Sequence, residues 1–325
     1  MLKRRWLVAT FMRAVLLLLL LLGSSLSGCI GDDAPSAEEI SVDEEPGWKI
    51  GDWFQYIFTT PQYGQDTAKL VIADKVESDN NWMLAISSRT ESQRHAALNH
   101  NPFLGRLTFD DLKVYENGIA QSVFSFPMNQ GNTWQFTLFG YSWNAEVSEL
   151  TEDGAVVEAL SSGGGAITYT FDGRIGFLTE FTWIDGSRVT MFEMKLVEHG
   201  RGHTGQVWFI RATDLKDEVY EQTDGEISDT FFDSGHPSDG GFDFLVWYLD
   251  VIIDASAGSS GSLTVKDHWD ATALSRAWGA DSEERHAIGT IPSVTGEYTI
   301  TLHLSGADSY VHLRMAGGVE QSWSL

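Results

Sequence analysis

An all-β fold is predicted, a curved antiparallel sheet or open barrel followed by a β-sandwich. Three observations predict it. Apolar and polar residues alternate with a period of two through most of the chain beyond residue 47, as a half-buried strand requires. Valine, isoleucine, threonine and aromatic residues are concentrated in those stretches, and they suit a pleated surface. Asx-Gly and Asn-rich punctuation separates the stretches at hairpin spacing.

The first strand is read at residues 52–59. It places Trp53, Gln55, Ile57 and Thr59 on one face and Phe54, Tyr56 and Phe58 on the other. Stretches 67–76, 82–88, 112–116, 133–139, 142–150, 155–160 and 166–171 follow the same rule. The clearest hairpin joins 177–183 to 188–197 through a turn holding Asp185 and Gly186. Residues 91–107 break the alternation and carry Arg94, His95, His100, Asn101 and Pro102. A short helix over 91–99 or an excursion loop is predicted there, and loops of this length often serve function.

A second unit is predicted to start at residues 200–206. Its strands are read at 207–212, 226–232, 244–253, 262–267, 298–305, 310–315 and 319–324, with 271–278 as a helical turn or a loop. Several short strands with Gly, Ser and Asp turns suit a sandwich. The closing strands, Gly296-Glu297-Tyr298-Thr299-Ile300-Thr301-Leu302 and then 310–315, resemble those of small secreted sandwiches grouped as pre-peptidase C-terminal or carbohydrate-binding-type modules. The resemblance implies a sandwich and brings no ligand motif.

The N-terminus reads as an export signal. Lys3, Arg4 and Arg5 precede an apolar run at 14–22, then a small, polar segment at 23–28. A run of that length suits a signal, whereas a membrane span needs about 20 apolar residues. That segment closes on Leu26-Ser27-Gly28, Cys29 comes next, and Cys29 is the only cysteine. This arrangement resembles the lipobox of prokaryotic membrane lipoproteins, archaeal ones included. The resemblance implies removal of residues 1–28, lipid on Cys29, and a body held at the cell membrane outside the cytoplasm. Stable anchoring takes two lipid chains or a second signal. Residues 30–46 offer no basic patch; they hold seven acidic residues and no aromatic one. Such a segment cannot bury enough surface to offset chain entropy and reads as a tether. The expected organisation is therefore a signal peptide at 1–28, a tether at 29–46, a β domain at 47–203 and a sandwich at 204–325.

The chain carries 46 acidic against 21 basic residues, a formal net charge of −25. That field repels nucleic acid, so no nucleic-acid partner is expected. A single cysteine excludes an intrachain disulfide.

Motifs that could carry chemistry are sparse. Gly200-x-Gly202-x-x-Gly205 matches the dinucleotide fingerprint in letters, but a strand is predicted after it where the fingerprint needs a helix. It reads as a turn. His199 and His203 with Glu198 form a small candidate set for zinc or copper. Asp229, Asp233, Asp239 and Asp243, around His236, crowd a polar loop and are oxygen donors of the kind calcium takes, without EF-hand spacing. No other cofactor is expected. No Gly-x-Ser-x-Gly elbow exists, and carboxylates are too abundant to single out a hydrolytic pair. Trp53, Trp82, Trp134, Trp143 and Trp183 could line a platform for sugars or acyl chains, or fill the core. The expected role is binding or scaffolding at the cell surface, with a surface protein or glycan as partner. The alternatives are an envelope lipid- or glycan-binding protein with an aromatic cleft and a secreted hydrolase.

Overall fold

Strand pairing begins with β1 (Trp53–Thr60), whose residues alternate between half-buried and buried. Phe54, Tyr56 and Phe58 face the core, as the period-two pattern predicts. The computed structural model describes residues 47–221, 225–235 and 241–325. Cys29 and the lipobox residues Leu26, Ser27 and Gly28 lie outside the described residues, as do Asp239 and His236. Among the described residues, no helix is long and apolar enough to cross a membrane.

The chain is all-β. β2 (Gly64–Val76) and β3 (Asn81–Ile86) continue from β1, joined by a 3-10 turn at Glu77–Asp79. A helical segment follows: α1 (Arg89–Arg94), capped by the Ser88 hydroxyl, which accepts from Glu91 N, runs straight into a π-helical turn at His95–Asn99. The short helix predicted near 91–99 is present. Next come β4 (Gly105–Thr108), β5 (Val114–Glu116) and β6 (Ile119–Gln121). A meander then runs through β7 (Thr133–Leu138), β8 (Tyr141–Leu150), β9 (Gly154–Ser161), β10 (Ala166–Asp172), β11 (Phe177–Ile184) and β12 (Thr190–Gly200). In the β11–β12 turn, the Asp185 carboxylate accepts from Ser187 N and Val189 N at 2.9 Å each.

The remaining strands are β13 (Gln206–Glu221), β14 (Glu226–Asp233), β15 (Phe244–Ile252), β16 (Ser260–Lys266), β17 (Thr272–Trp278), β18 (Glu283–Ile291), β19 (Gly296–Ser305) and β20 (Tyr310–Ser324). The large sheet has the order β18-β15-β20-β13-β3-β2-β1-β12-β11-β10-β9-β8-β7 and stays open, with β4 added to β3. Register shifts at Gln55/Tyr56, Ile72/Asp74, Val147/Glu149 and Thr170/Phe171 mark bulges, which bend and twist a sheet.

The concave trough of this sheet is filled by the excursion between β3 and β7. Phe103, Phe109, Leu112, Val123, Phe124 and Met128 join Phe54, Tyr56, Phe58, Phe177 and Phe181 in one core drawn from residues 48–194. A second core, drawn from residues 220–315, lies between two layers. Leu245, Leu249, Val311 and Leu313 of the large sheet meet Leu263, Val265, Tyr298 and Ile300 of the sheet β14-β19-β16-β17. This is the sandwich.

The structure corrects four readings. Residues 272–278 form strand β17, not a helical turn or loop. β18 was not predicted at all, and neither were β4 and β6. The strand predicted at 207–212 extends to Glu221. The strands predicted at 310–315 and 319–324 are one strand, because Gly317 and Gly318 do not break it. Their missing side chains leave room for the rings of Phe242 and Phe244, which a Cβ would meet at 2.2 and 2.5 Å. A glycine inside a strand often marks such a close approach.

Candidate functional site

The five tryptophans do not converge. Trp82 and Trp143 are buried in the first core, and the Trp143 indole donates to Leu138 O at 2.9 Å. Trp134 and Trp183 are half-buried against that core, with Trp183 stacked on Phe139 at 4.1 Å. Trp53 points away from it, under the Lys69 ammonium at 3.8 Å. None of the five lines the cleft described below.

The acidic candidates among the described residues are each engaged separately. Asp229 accepts from the Tyr220 hydroxyl at 2.8 Å and pairs with Lys216. Asp233 is fully buried and accepts from Gly235 N at 2.8 Å and Ser293 Oγ at 2.6 Å. Asp243 accepts from Glu320 N at 2.7 Å. Glu198 and His199 are exposed on β12, where neighbouring residues face opposite ways. His203 sits in the turn beyond, its backbone N–H bonded to Gly51 O at 2.8 Å. Gly202 and Gly205 of the GxGxxG stretch adopt positive φ in that turn, and a strand follows. Among the described residues, neither the aspartates nor His199, His203 and Glu198 gather at metal-ligand distance.

What the structure brings together lies in and around the segment that broke the alternation. The π turn at His95–Asn99 packs Ala97 against Ile210, Phe244, Val246 and Ala316. π-helical turns occur often at functional sites. Beside it opens a cleft of about 1050 Å³. One wall comes from the first half of the chain, with Asn101, Arg106, Tyr115 and Glu116. The other comes from β13 and β20, with Phe209, Arg211, Gln321 and Trp323. Arg106 lies over the Tyr115 ring at 4.1 Å. The Asn101 carbonyl accepts from Phe103 N at 3.0 Å, which fixes the orientation of its amide. Its NH2 group is buried and has no hydrogen-bond partner among the described residues.

At the edge of the cleft, His95, one of its lining residues, joins a cluster of charge. Arg94 binds Glu91 in bidentate fashion, at 2.5 and 2.9 Å, pairs with Asp66 of β2, and covers the Tyr63 ring at 4.0 Å. Asp66, Glu91 and His95 have ligand atoms within 4.8 Å of one another, a set able to hold a metal. Burial pushes the Glu91 carboxyl up to about 7, and its hydrogen bond with Asp66 pushes the same way. Burial also raises Asp66, but hydrogen bonds with Glu91 and Arg94 outweigh it and hold that carboxyl below the usual range. Burial drives His95 down to about 3, leaving the ring neutral at pH 7.

These shifts have opposed consequences. Between pH 4.5 and 7, folded Glu91 keeps a proton that the unfolded chain has released, so its contribution to stability falls as pH rises. Between pH 3 and 6.5, the unfolded chain protonates His95 while the buried ring stays neutral, so stability falls as pH drops. The two slopes oppose each other where the windows overlap. Glu91→Gln removes the first. In chelator-containing buffer, its unfolding free energy from urea titrations is expected to decline from pH 6.5 to 5 more steeply than that of the natural chain, by at most about 1.4 kcal/mol per pH unit. Parallel curves for the two proteins would refute this arrangement.

The Glu91-x-x-x-His95 spacing was visible in the sequence as a same-face pair on a helix. Asp66 carried no local signal, because β2 folds it back from a distant stretch of chain.

No protein-family model matches the chain, and no curated protein matches it either. Among solved structures, the chain is similar to an exo-β-1,3-galactanase from Phanerochaete chrysosporium, with 11% identity, a TM-score of 0.19, and coverage of 81% of this chain and 68% of that one. It is also similar to the MucA/MucB complex of Pseudomonas aeruginosa, with 9% identity, a TM-score of 0.23, and coverage of 81% and 93%. A third similarity is to dimeric latent PorU from Porphyromonas gingivalis, with 12% identity, a TM-score of 0.25, and coverage of 89% and 26%.

Proposed function

We propose that this protein is a lipid-anchored extracytoplasmic binding protein, and that its cleft takes an oligosaccharide. The observation that carries the reading is the lining of the cleft, where Asn101 and Arg106 stand opposite Phe209, Gln321 and Trp323. Sugars offer hydroxyl groups for the polar side chains together with an apolar ring face that suits Phe209 and Trp323. An acyl chain would cover the Arg106 guanidinium without giving it a polar partner.

Binding is favoured over turnover because the carboxylates of the cleft already act as acceptors. Asp74 accepts from Lys75 N and the Trp323 indole, and Glu116 accepts from Gly140 N. The lipobox supports the anchor. With so acidic a chain, the lipid on Cys29 holds the membrane without help from basic residues.

One experiment tests both parts. Cys29→Ala is expected to move the protein from the membrane fraction to the soluble fraction and to abolish lipid labelling. The released protein is then titrated against a panel of neutral and acidic oligosaccharides, with Trp323→Ala beside it. Binding weakened about tenfold by Trp323→Ala, equivalent to about 1.4 kcal/mol, is expected. Retention in the membrane with an intact N-terminus would mean a signal anchor. No binding across the panel would remove the glycan reading.

A further inference from the structure

We infer that Asp66, Glu91 and His95 form a binding site for a first-row transition dication such as zinc. Glu91 and His95 stand four residues apart on one continuous helical segment, so both reach the same side of it. Asp66 meets them from β2, and the three ligand atoms lie within 4.8 Å of one another.

The carboxylates alone would not make the case, since Arg94 pairs with both. The imidazole makes it. His95 is fully buried and packs against Phe58 at 4.4 Å, and neither ring nitrogen has a hydrogen-bond partner among the described residues. A polar ring buried that way is costly, and its lone pair is an unused donor beside two carboxylates. One imidazole and two carboxylates, with a fourth position left for water, match the ligand chemistry of an open zinc site. Calcium fits poorly, because it wants six to eight oxygens and gains little from nitrogen.

The geometry is within reach. Tetrahedral ligands at zinc stand about 3.3 Å apart, so no pair needs to close by more than about 1.5 Å. Asp66 and Glu91 keep 14% and 20% of their side chains exposed, which gives an ion a way in. The dication takes the place of the Arg94 guanidinium between the carboxylates, leaving that group its contact with the Tyr63 ring. The inference does not rest on the oligosaccharide reading, although His95 also lines the cleft.

The test uses the full chain, stripped with EDTA and then titrated with zinc chloride by calorimetry. One zinc per chain is expected, not displaced by excess calcium. Glu91→Gln and His95→Gln should each weaken it by at least about tenfold. Zinc-edge X-ray absorption on the natural chain should show one imidazole nitrogen together with carboxylate oxygens. That measurement needs no variant and stands even if one fails to fold. No binding by the natural chain, an all-oxygen first shell, or unchanged affinity in both variants overturns the site.

Discussion

Phe177→Ala is expected to cost about 4 kcal/mol of stability, read as a fall in the urea midpoint by tryptophan fluorescence. Phe177 is fully buried at the start of β11. Its ring lies 5.3 Å from Trp48, 5.2 Å from Phe54, 6.5 Å from Tyr56 and 6.0 Å from Phe103. It thus joins the first residues of the described chain, the first strand and the excursion that fills the trough. Removing it opens a cavity lined by rigid rings anchored on three different elements, which cannot collapse together. The adjacent Leu178 takes part through its backbone, whose carbonyl accepts from the Tyr56 hydroxyl at 2.7 Å. Phe177→Leu, which keeps much of the volume, should cost well under half as much. Equal losses for the two variants would show that the site relaxes freely and that the ring cluster is not the first core's keystone.

Arg94→Met carries the second large effect, about 3 kcal/mol in metal-free buffer at pH 8. Removing one partner of a buried ion pair costs about 3–5 kcal/mol, because the other charge is left without compensation. Here two carboxylates are left together, and their partly exposed edges place the loss at the low end. The loss should shrink as pH falls toward 6, because Glu91, raised to about 7 with Arg94 in place and further once Arg94 is gone, takes a proton and ends the repulsion. Zinc, supplying the positive charge that arginine no longer gives, is expected to restore much of the midpoint at pH 8. A loss that is the same at pH 6 and pH 8 would mean that Arg94 acts by packing on Tyr63, not by charge.

Much of the fold was legible where a strand has one wet and one dry face. β1, β8 and β10 show their alternation openly, and the β11–β12 hairpin announces its turn through Asp185 and Gly186. β17 and β18 were illegible for a shared reason. Each is an edge strand, and β18 reads Glu-Glu-Arg-His-Ala-Ile-Gly-Thr-Ile, with hardly a buried residue to set a period. Edge strands carry charge as protection against pairing with other chains, and charge hides the signal. The outer half of β13 was missed likewise, since Asp214, Lys216, Asp217 and Glu218 become a strand only through pairing with β20. The site divides along the same line. Its helical half, Glu91 and His95, has a local spacing, and the segment stood out by breaking the strand pattern. Its other half, Asp66, and the opposite cleft wall at Phe209 and Trp323, arrive through long-range pairing that no local pattern encodes. The tryptophans drew attention for their size, yet size mostly places them in the core.

β13 and β20 pair along nearly their whole lengths, interrupted only by the shift between Asp214 and Lys216. At about 3.3 Å per residue, the ribbon is about 50 Å long. One end carries Phe209 and Trp323 into the cleft; the other is gripped inside the sandwich by Tyr220, Val311 and Leu313. Separating the cleft wall from the sandwich would therefore mean breaking this one ladder, whose single irregularity lies midway between the two ends.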